Sequence, residues 1–188
     1  MRRGTAGVLA TGSAWAALAR AAGAATLPDA DLSYLRLLIA GELLEGDFQA
    51  RALASGKIGG RGSSVLRQMA ADEKAHYRGL ANSMLAAGQT PASADAIDFS
   101  YPNGTFASAS SIMKRAEALE HLLLGAYIGA VENVQTPQLR LPLAQIAANE
   151  AQHTGALAAL AGRPVIGAAF APSLQMASVS DALDAYES

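Results

Sequence analysis

Two stretches of this sequence place a histidine three residues after a glutamate: DEKAH, with Glu73 and His76, and NEAQH, with Glu150 and His153. On an α-helix, residues three apart occupy adjacent turns of one face, so a carboxylate and an imidazole at this spacing can reach one cation together. Neither pair sits on a polar face. Leu143, Ile146, Glu150, His153, Leu157 and Leu160 follow three- and four-residue steps, and so do Leu66, Met69, Glu73, His76, Leu80 and Met84. In each case the E-x-x-H pair interrupts an otherwise apolar stripe.

Two further stripes carry a glutamate near the middle. Met113, Glu120, Leu124, Tyr127 and Val131 share one face, and Leu35, Leu38 and Glu42 share another. A buried carboxylate without a partner is costly, so four of them in one core need compensation. Two divalent cations carry four positive charges, which match Glu42, Glu73, Glu120 and Glu150, and His76 and His153 add neutral nitrogen donors. Glu42 precedes Glu73 by 31 residues and Glu120 precedes Glu150 by 30, so the two halves read as copies of one helix pair. Glu45 and Glu117 lie three residues from Glu42 and Glu120 and are the alternatives to them. Stripe matching favours Glu42 and Glu120, leaving Glu45 and Glu117 as solvated or outer carboxylates. His121 falls about 100° away from the ligand stripe, a surface or inter-helix position.

Four helical segments are needed to position these residues. The first runs from about Asp31, an N-cap, to Gly56, before the turn KIGGRG. Ser63 or Ser64 caps a second helix that stops at Gly88. The stretch GQTPASADAIDFSYPNGTF is rich in turn formers and reads as a crossover along the outside of a bundle. Ser108 to Ser111 open the third helix, and Thr136 with Pro137 opens the fourth, which ends near Gly162. Pro142 implies a kinked or separate first turn there. No run alternates with period two, so the fold class is all-α, a four-helix bundle with one long crossover between helices 2 and 3. The bundle spans residues 29–162. A tail over 163–188 is expected to dock Phe170 and Leu174 on it and to end in a short helix from about Ser180.

Composition narrows the function classes. The 188 residues are 51% hydrophobic, and 14 basic against 16 acidic side chains give a net charge of −2. No basic face is present for nucleic acid. Cysteine is absent, which removes disulfides, thiolate metal sites and cysteine nucleophiles. Any metal must be held by oxygen and nitrogen, and iron and manganese share that preference. Residues 1–25 have the form of an export signal: Arg2 and Arg3, an uncharged alanine-rich run, then small residues around Ala22 and Ala24. Arg20 cuts that run short of a membrane span, so no stable span remains after cleavage. An exported location, periplasmic or extracellular, follows. The paired arginines suggest the twin-arginine route, although Gly4 and Thr5 stand where hydrophobic residues usually follow.

The motifs GELLEGDF, DEKAHY, LEHLLLGAY and NEAQH resemble those of the ferritin-like superfamily of di-iron and di-manganese carboxylate proteins. The resemblance covers about Asp31 to Gly162 and is nearest to exported bacterial ferritin-like proteins related to desiccation-related proteins. It implies two iron ions, or manganese, held by Glu42, Glu73, His76, Glu120, Glu150 and His153, with Glu73 and Glu150 bridging. It also implies dioxygen or peroxide as reactant, an external electron donor if the site is redox active, and possible homo-oligomers. Tyr127, seven residues after Glu120, matches a tyrosine often found two turns past that ligand, a candidate redox participant as well as a core residue. Gln49 stands where the equivalent tyrosine would follow Glu42. With no C-x-x-C module there is no built-in one-electron iron centre, and the tail replaces the fifth helix of cage-forming ferritins. The alternatives are an exported bundle that sequesters metal without turnover and a metal-free, stress-protective one.

Overall fold

The computed structural model describes residues 26–187; the export signal expected over residues 1–25 lies outside them. The described residues form an all-α bundle of α1 (Asp29–Ala54), α2 (Gly60–Ala86), α3 (Ala109–Asn133) and α4 (Pro137–Leu160), followed by a short α5 (Met176–Asp184). Among the described residues extended pairing is limited to an isolated bridge between Phe99 and Glu187.

Local chemistry explains where the helices begin, and in two cases it differs from the expected caps. The first helix starts two residues before Asp31, because Pro28, with φ −55°, is already set for the entry. Asp31 is fully buried in the first turn and serves another helix: its carboxylate accepts from the backbone N–H groups of Gln135 (2.7 Å) and Thr136 (2.9 Å). Those groups lead into α4, so Asp31 ties the start of α1 to the start of α4, where a negative charge also meets the positive end of the helix dipole. The second helix starts at Gly60, behind Gly59, ahead of the expected Ser63 or Ser64. Ser108 does cap α3, in a reciprocal pair with Ser111. Pro142 leaves α4 a single helix from Pro137 to Leu160 and forms no separate turn. It lies only five residues after Pro137, where one missing backbone donor is tolerated.

The long crossover sets the bundle order. Helix α1 packs on α2 and α3, and α4 packs on α3 and α2. The facing pairs Gln49–Glu73, Glu42–Tyr127, Asp72–His153 and Glu120–His153 make each of these contacts antiparallel. A β-carbon on Gly41 would come 2.5 Å from Leu123 Cδ2, so glycine there lets α1 and α3 approach closely. Along the crossover, Tyr101 donates to Asp47 Oδ2 (2.9 Å) and stacks with Phe48, Phe106 and Tyr186. This pins the segment to the outside of α1.

The tail departs from expectation. Phe170 does not dock: it is 91% exposed. Leu174 does, with its N–H donating to Gly125 O at 3.0 Å, its side chain over Gly125 and its backbone carbonyl over Gly129. The last helix begins at Met176 rather than near Ser180 and buries Val179 and Leu183 against the bundle. No helix of the described residues is long and apolar enough to cross a membrane.

Candidate metal centre

Each of the four bundle helices sends its midpoint carboxylate inward. Glu42 on α1, Glu73 on α2, Glu120 on α3 and Glu150 on α4 are all at most 2% exposed, with His76 and His153 buried beside them. The donor atoms fall into two groups, each with its atoms within 4.8 Å of one another: Glu42, Glu73, His76 and Glu150, and then Glu73, Glu120, Glu150 and His153. Glu73 and Glu150 belong to both. Either group could hold a metal ion.

The imidazoles give each group its direction. Nδ1 of His76 lies 3.0 Å from Glu73 Oε2, 3.1 Å from Glu150 Oε1 and 3.5 Å from Glu42 Oε2. Nδ1 of His153 lies 3.2 Å from Glu73 Oε1, 3.2 Å from Glu120 Oε2 and 3.4 Å from Glu150 Oε2. The opposite nitrogens face acceptors: His76 Nε2 meets Asn149 Oδ1 at 3.0 Å, and His153 Nε2 meets Asp72 Oδ2 at 3.3 Å. A neutral ring that donates from Nε2 presents a lone pair at Nδ1. Three carboxylate oxygens and a lone pair converging on one point repel each other unless a cation sits among them.

Without metal, that cation is a proton. Burial alone would lower the pKa of His76, but hydrogen bonding to Glu150, Glu42 and Glu73 overrides it and pushes it up to about 12. His153 is raised in the same way by Glu120, Glu150 and Glu73. Burial also acts on Glu150, yet hydrogen bonds from the two histidines bring it down to about 2. Glu42 moves the other way, to about 8, because burial and the charges of Glu73 and Glu150 outweigh His76. Burial is likewise the main reason that Glu120 is raised.

Protons leave the cluster poorly satisfied. Glu42 Oε2 and the two oxygens of Glu150 lie 3.5, 3.1 and 3.4 Å from an imidazole Nδ1, yet none of them accepts a well-directed hydrogen bond. A native core rarely leaves such groups unmade. The donor set of carboxylate oxygen and imidazole nitrogen suits iron or manganese, so these residues fit the metal that the motifs imply.

The remaining sequence candidates sort clearly. Tyr127 is fully buried, and its hydroxyl donates a hydrogen bond to Glu42 Oε1. Burial raises its pKa well above the phenol value. Glu117 points away from the cluster to Arg163 (2.5 Å), and His121 lies on the surface 3.8 Å from Glu117. Of the two places expected for Glu45, the solvated one is excluded: it is 1% exposed, with both carboxylate oxygens lacking a hydrogen-bond partner. Gln49 takes a holding role, donating from Nε2 to Glu73 Oε1 at 3.3 Å.

Asp72 and Asn149 escaped the sequence reading. Each immediately precedes an E-x-x-H glutamate, in DEKAH and NEAQH, and each supports the histidine of the opposite helix. A polar residue at the same offset in both copies was the available signal. The cross-pairing itself depends on the antiparallel contact of α2 and α4.

No curated protein matches the sequence. A family model described as a ferritin-like domain matches residues 30–163, the stretch that contains all four bundle helices and every residue of the cluster. The chain therefore belongs to the ferritin-like domain family.

Proposed function

We propose that the cluster holds two ions of iron or manganese and that the bound pair acts on dioxygen or peroxide. The observation that carries this reading is the doubled arrangement around the histidines: three carboxylate oxygens about each Nδ1, with Glu73 and Glu150 common to both. Glu42 and His76 would complete one position, Glu120 and His153 the other, and the two shared glutamates would bridge. Such a pair supplies two electrons to a bound oxidant, and an external donor would restore them.

The protein's own residues do the rest. Glu73 and Glu150, the two residues common to both groups, sit on α2 and α4, so the antiparallel packing of those helices would set the spacing of the two positions. Asn149 and Asp72 hold the imidazoles with Nδ1 inward and raise their basicity. Tyr127 orients Glu42 through its hydroxyl and is the candidate redox side chain beside the site.

A cavity of about 430 Å³ offers a small reactant access to the cluster. It lies between α1 and α2, with Glu42 and Glu73 among its lining residues and Leu43, Gly46, Ala70 and Phe99 forming much of its apolar wall. A small neutral oxidant can thus approach two of the carboxylates without crossing the bundle core.

Elemental mass spectrometry on protein purified without chelator tests the reading. About two iron or manganese ions per chain are expected, with fewer in Glu73→Ala and Glu150→Ala, together with oxygen or peroxide consumption by the iron-loaded protein. Stoichiometric metal without consumption would mean sequestration. No metal even after anaerobic ferrous loading would refute the metal site.

A further inference from the structure

Glu45 poses a problem that the six-residue cluster does not solve. It lies on α1 one turn beyond Glu42, is 1% exposed, and neither carboxylate oxygen has a hydrogen-bond partner. Protonation removes its charge but not its need: a neutral carboxyl still carries one O–H donor and one C=O acceptor, both costly to bury unpaired. The helix register shows where it sits. Across the antiparallel contact of α1 and α3, Gly41 meets Leu123 and Glu42 meets Tyr127, so one turn further along α1 comes to the level of residues 119–124, which include Glu120. On the other side, Gln49, one turn beyond Glu45, reaches Glu73. Glu45 thus lies at the level of Glu120 and Glu73 of the His153 group, although its oxygens fall outside both sets of donor atoms that lie within 4.8 Å of one another. Burial is the main cause of its raised pKa, and the negative charges of Glu120, Glu73, Glu150 and Glu42 add to it in that order.

We propose that Glu45 is a seventh ligand of the metal pair, a further carboxylate for the ion on the His153 side. This rests on the reading of the cluster as a two-metal site. It corrects the charge balance expected from the sequence: five buried carboxylates carry one negative charge more than two divalent ions offset. The two positions become inequivalent. The one beside His76 has three carboxylates, one of them the tyrosine-bound Glu42, whereas the one beside His153 would have four and suits an ion of higher charge.

Titration of the metal-free full chain with cobalt(II) tests the assignment, read by calorimetry and by the visible band, whose intensity rises as coordination number falls. Glu120→Ala identifies the step that belongs to the His153 side, and Glu42→Ala the other. In both Glu45→Gln and Glu45→Leu, the His153-side step should weaken at least tenfold and the visible band should strengthen, while the His76-side step stays within about twofold. The melting temperature of metal-free Glu45→Leu should rise, because an unpaired buried carboxyl is removed. A wild-type His153-side step with an unchanged band would overturn the proposal, as would an equal loss at both steps accompanied by a lower metal-free melting temperature. If the wild-type chain takes up no cobalt, the two-metal reading itself fails, a result distinct from failure at Glu45 alone.

Discussion

Replacing Asp72 with alanine tests the cross-pairing of the two helices, because Asp72 lies on α2 but supports a histidine on α4. Its Oδ2 lies 3.3 Å from His153 Nε2, and its side chain is 27% exposed. Loss of such an outer partner weakens metal binding by about 10- to 100-fold, or ~1.4–2.7 kcal/mol. Partial exposure screens the charge, and 3.3 Å is long for a charge-assisted hydrogen bond, so the effect belongs at the lower end, about tenfold. Asn149 supports His76 with a neutral oxygen at 3.0 Å, and its loss should cost ~0.5–1.5 kcal/mol, about two- to tenfold. The assay is a two-step metal titration of each variant by calorimetry. Asp72→Ala should weaken the step that Glu120→Ala also weakens, and Asn149→Ala the one that Glu42→Ala weakens. If Asp72→Ala instead impaired the His76-side step, or left both unchanged, the geometry assigned to the two histidines would be wrong.

Two further outcomes follow from the structure. In the metal-free protein, Glu42 rises from 4.5 to about 8 and His76 from 6.5 to about 12, so the stability each contributes is complete below its ordinary pKa and fades as pH rises through its folded one. Glu150, lowered from 4.5 to about 2, has the opposite sign, its contribution being complete above 4.5 and lost toward 2. The chelated protein should therefore melt higher at pH 5 than at pH 8, whereas bound metal, which competes with those protons, should reverse the trend; a chelated protein that is more stable at pH 8 would contradict the shifts. Gly129→Ala should lift the tail from α3, since a β-carbon there would overlap the Leu174 carbonyl oxygen, a backbone atom that cannot rotate away. A cost of about 1–3 kcal/mol, or a Tm lower by ~2–10 °C, and faster proteolysis of the tail are expected; an unchanged Tm and cleavage pattern would refute it.

Helix type and the inward face were legible because both are local. Three- and four-residue spacing placed Glu73 with His76 and Glu150 with His153, and the same periodicity brought Glu42 and Glu120 onto apolar stripes. Ser108 and Pro137 marked helix starts because capping depends on a few consecutive residues. Where distant segments meet, periodicity carries no information. Asp31 has the sequence context of an N-cap, but its carboxylate was claimed by backbone groups more than a hundred residues away. Glu45 lies one turn from Glu42, and a stripe wide enough to face two neighbouring helices buries both. Phe170 and Leu174 are similar in hydrophobicity, yet only Leu174 meets the glycine surface of α3.

By itself, then, the sequence determined that four helices form and that each carries a carboxylate toward the core, because both follow from the turn of a single helix. Only the tertiary structure decided which carboxylates are shared, which partner stands behind each histidine, and that a fifth carboxylate, Glu45, is buried without a partner. Those relations depend on the relative register of packed helices, and shifting one helix by a single turn would change them while leaving every local pattern intact.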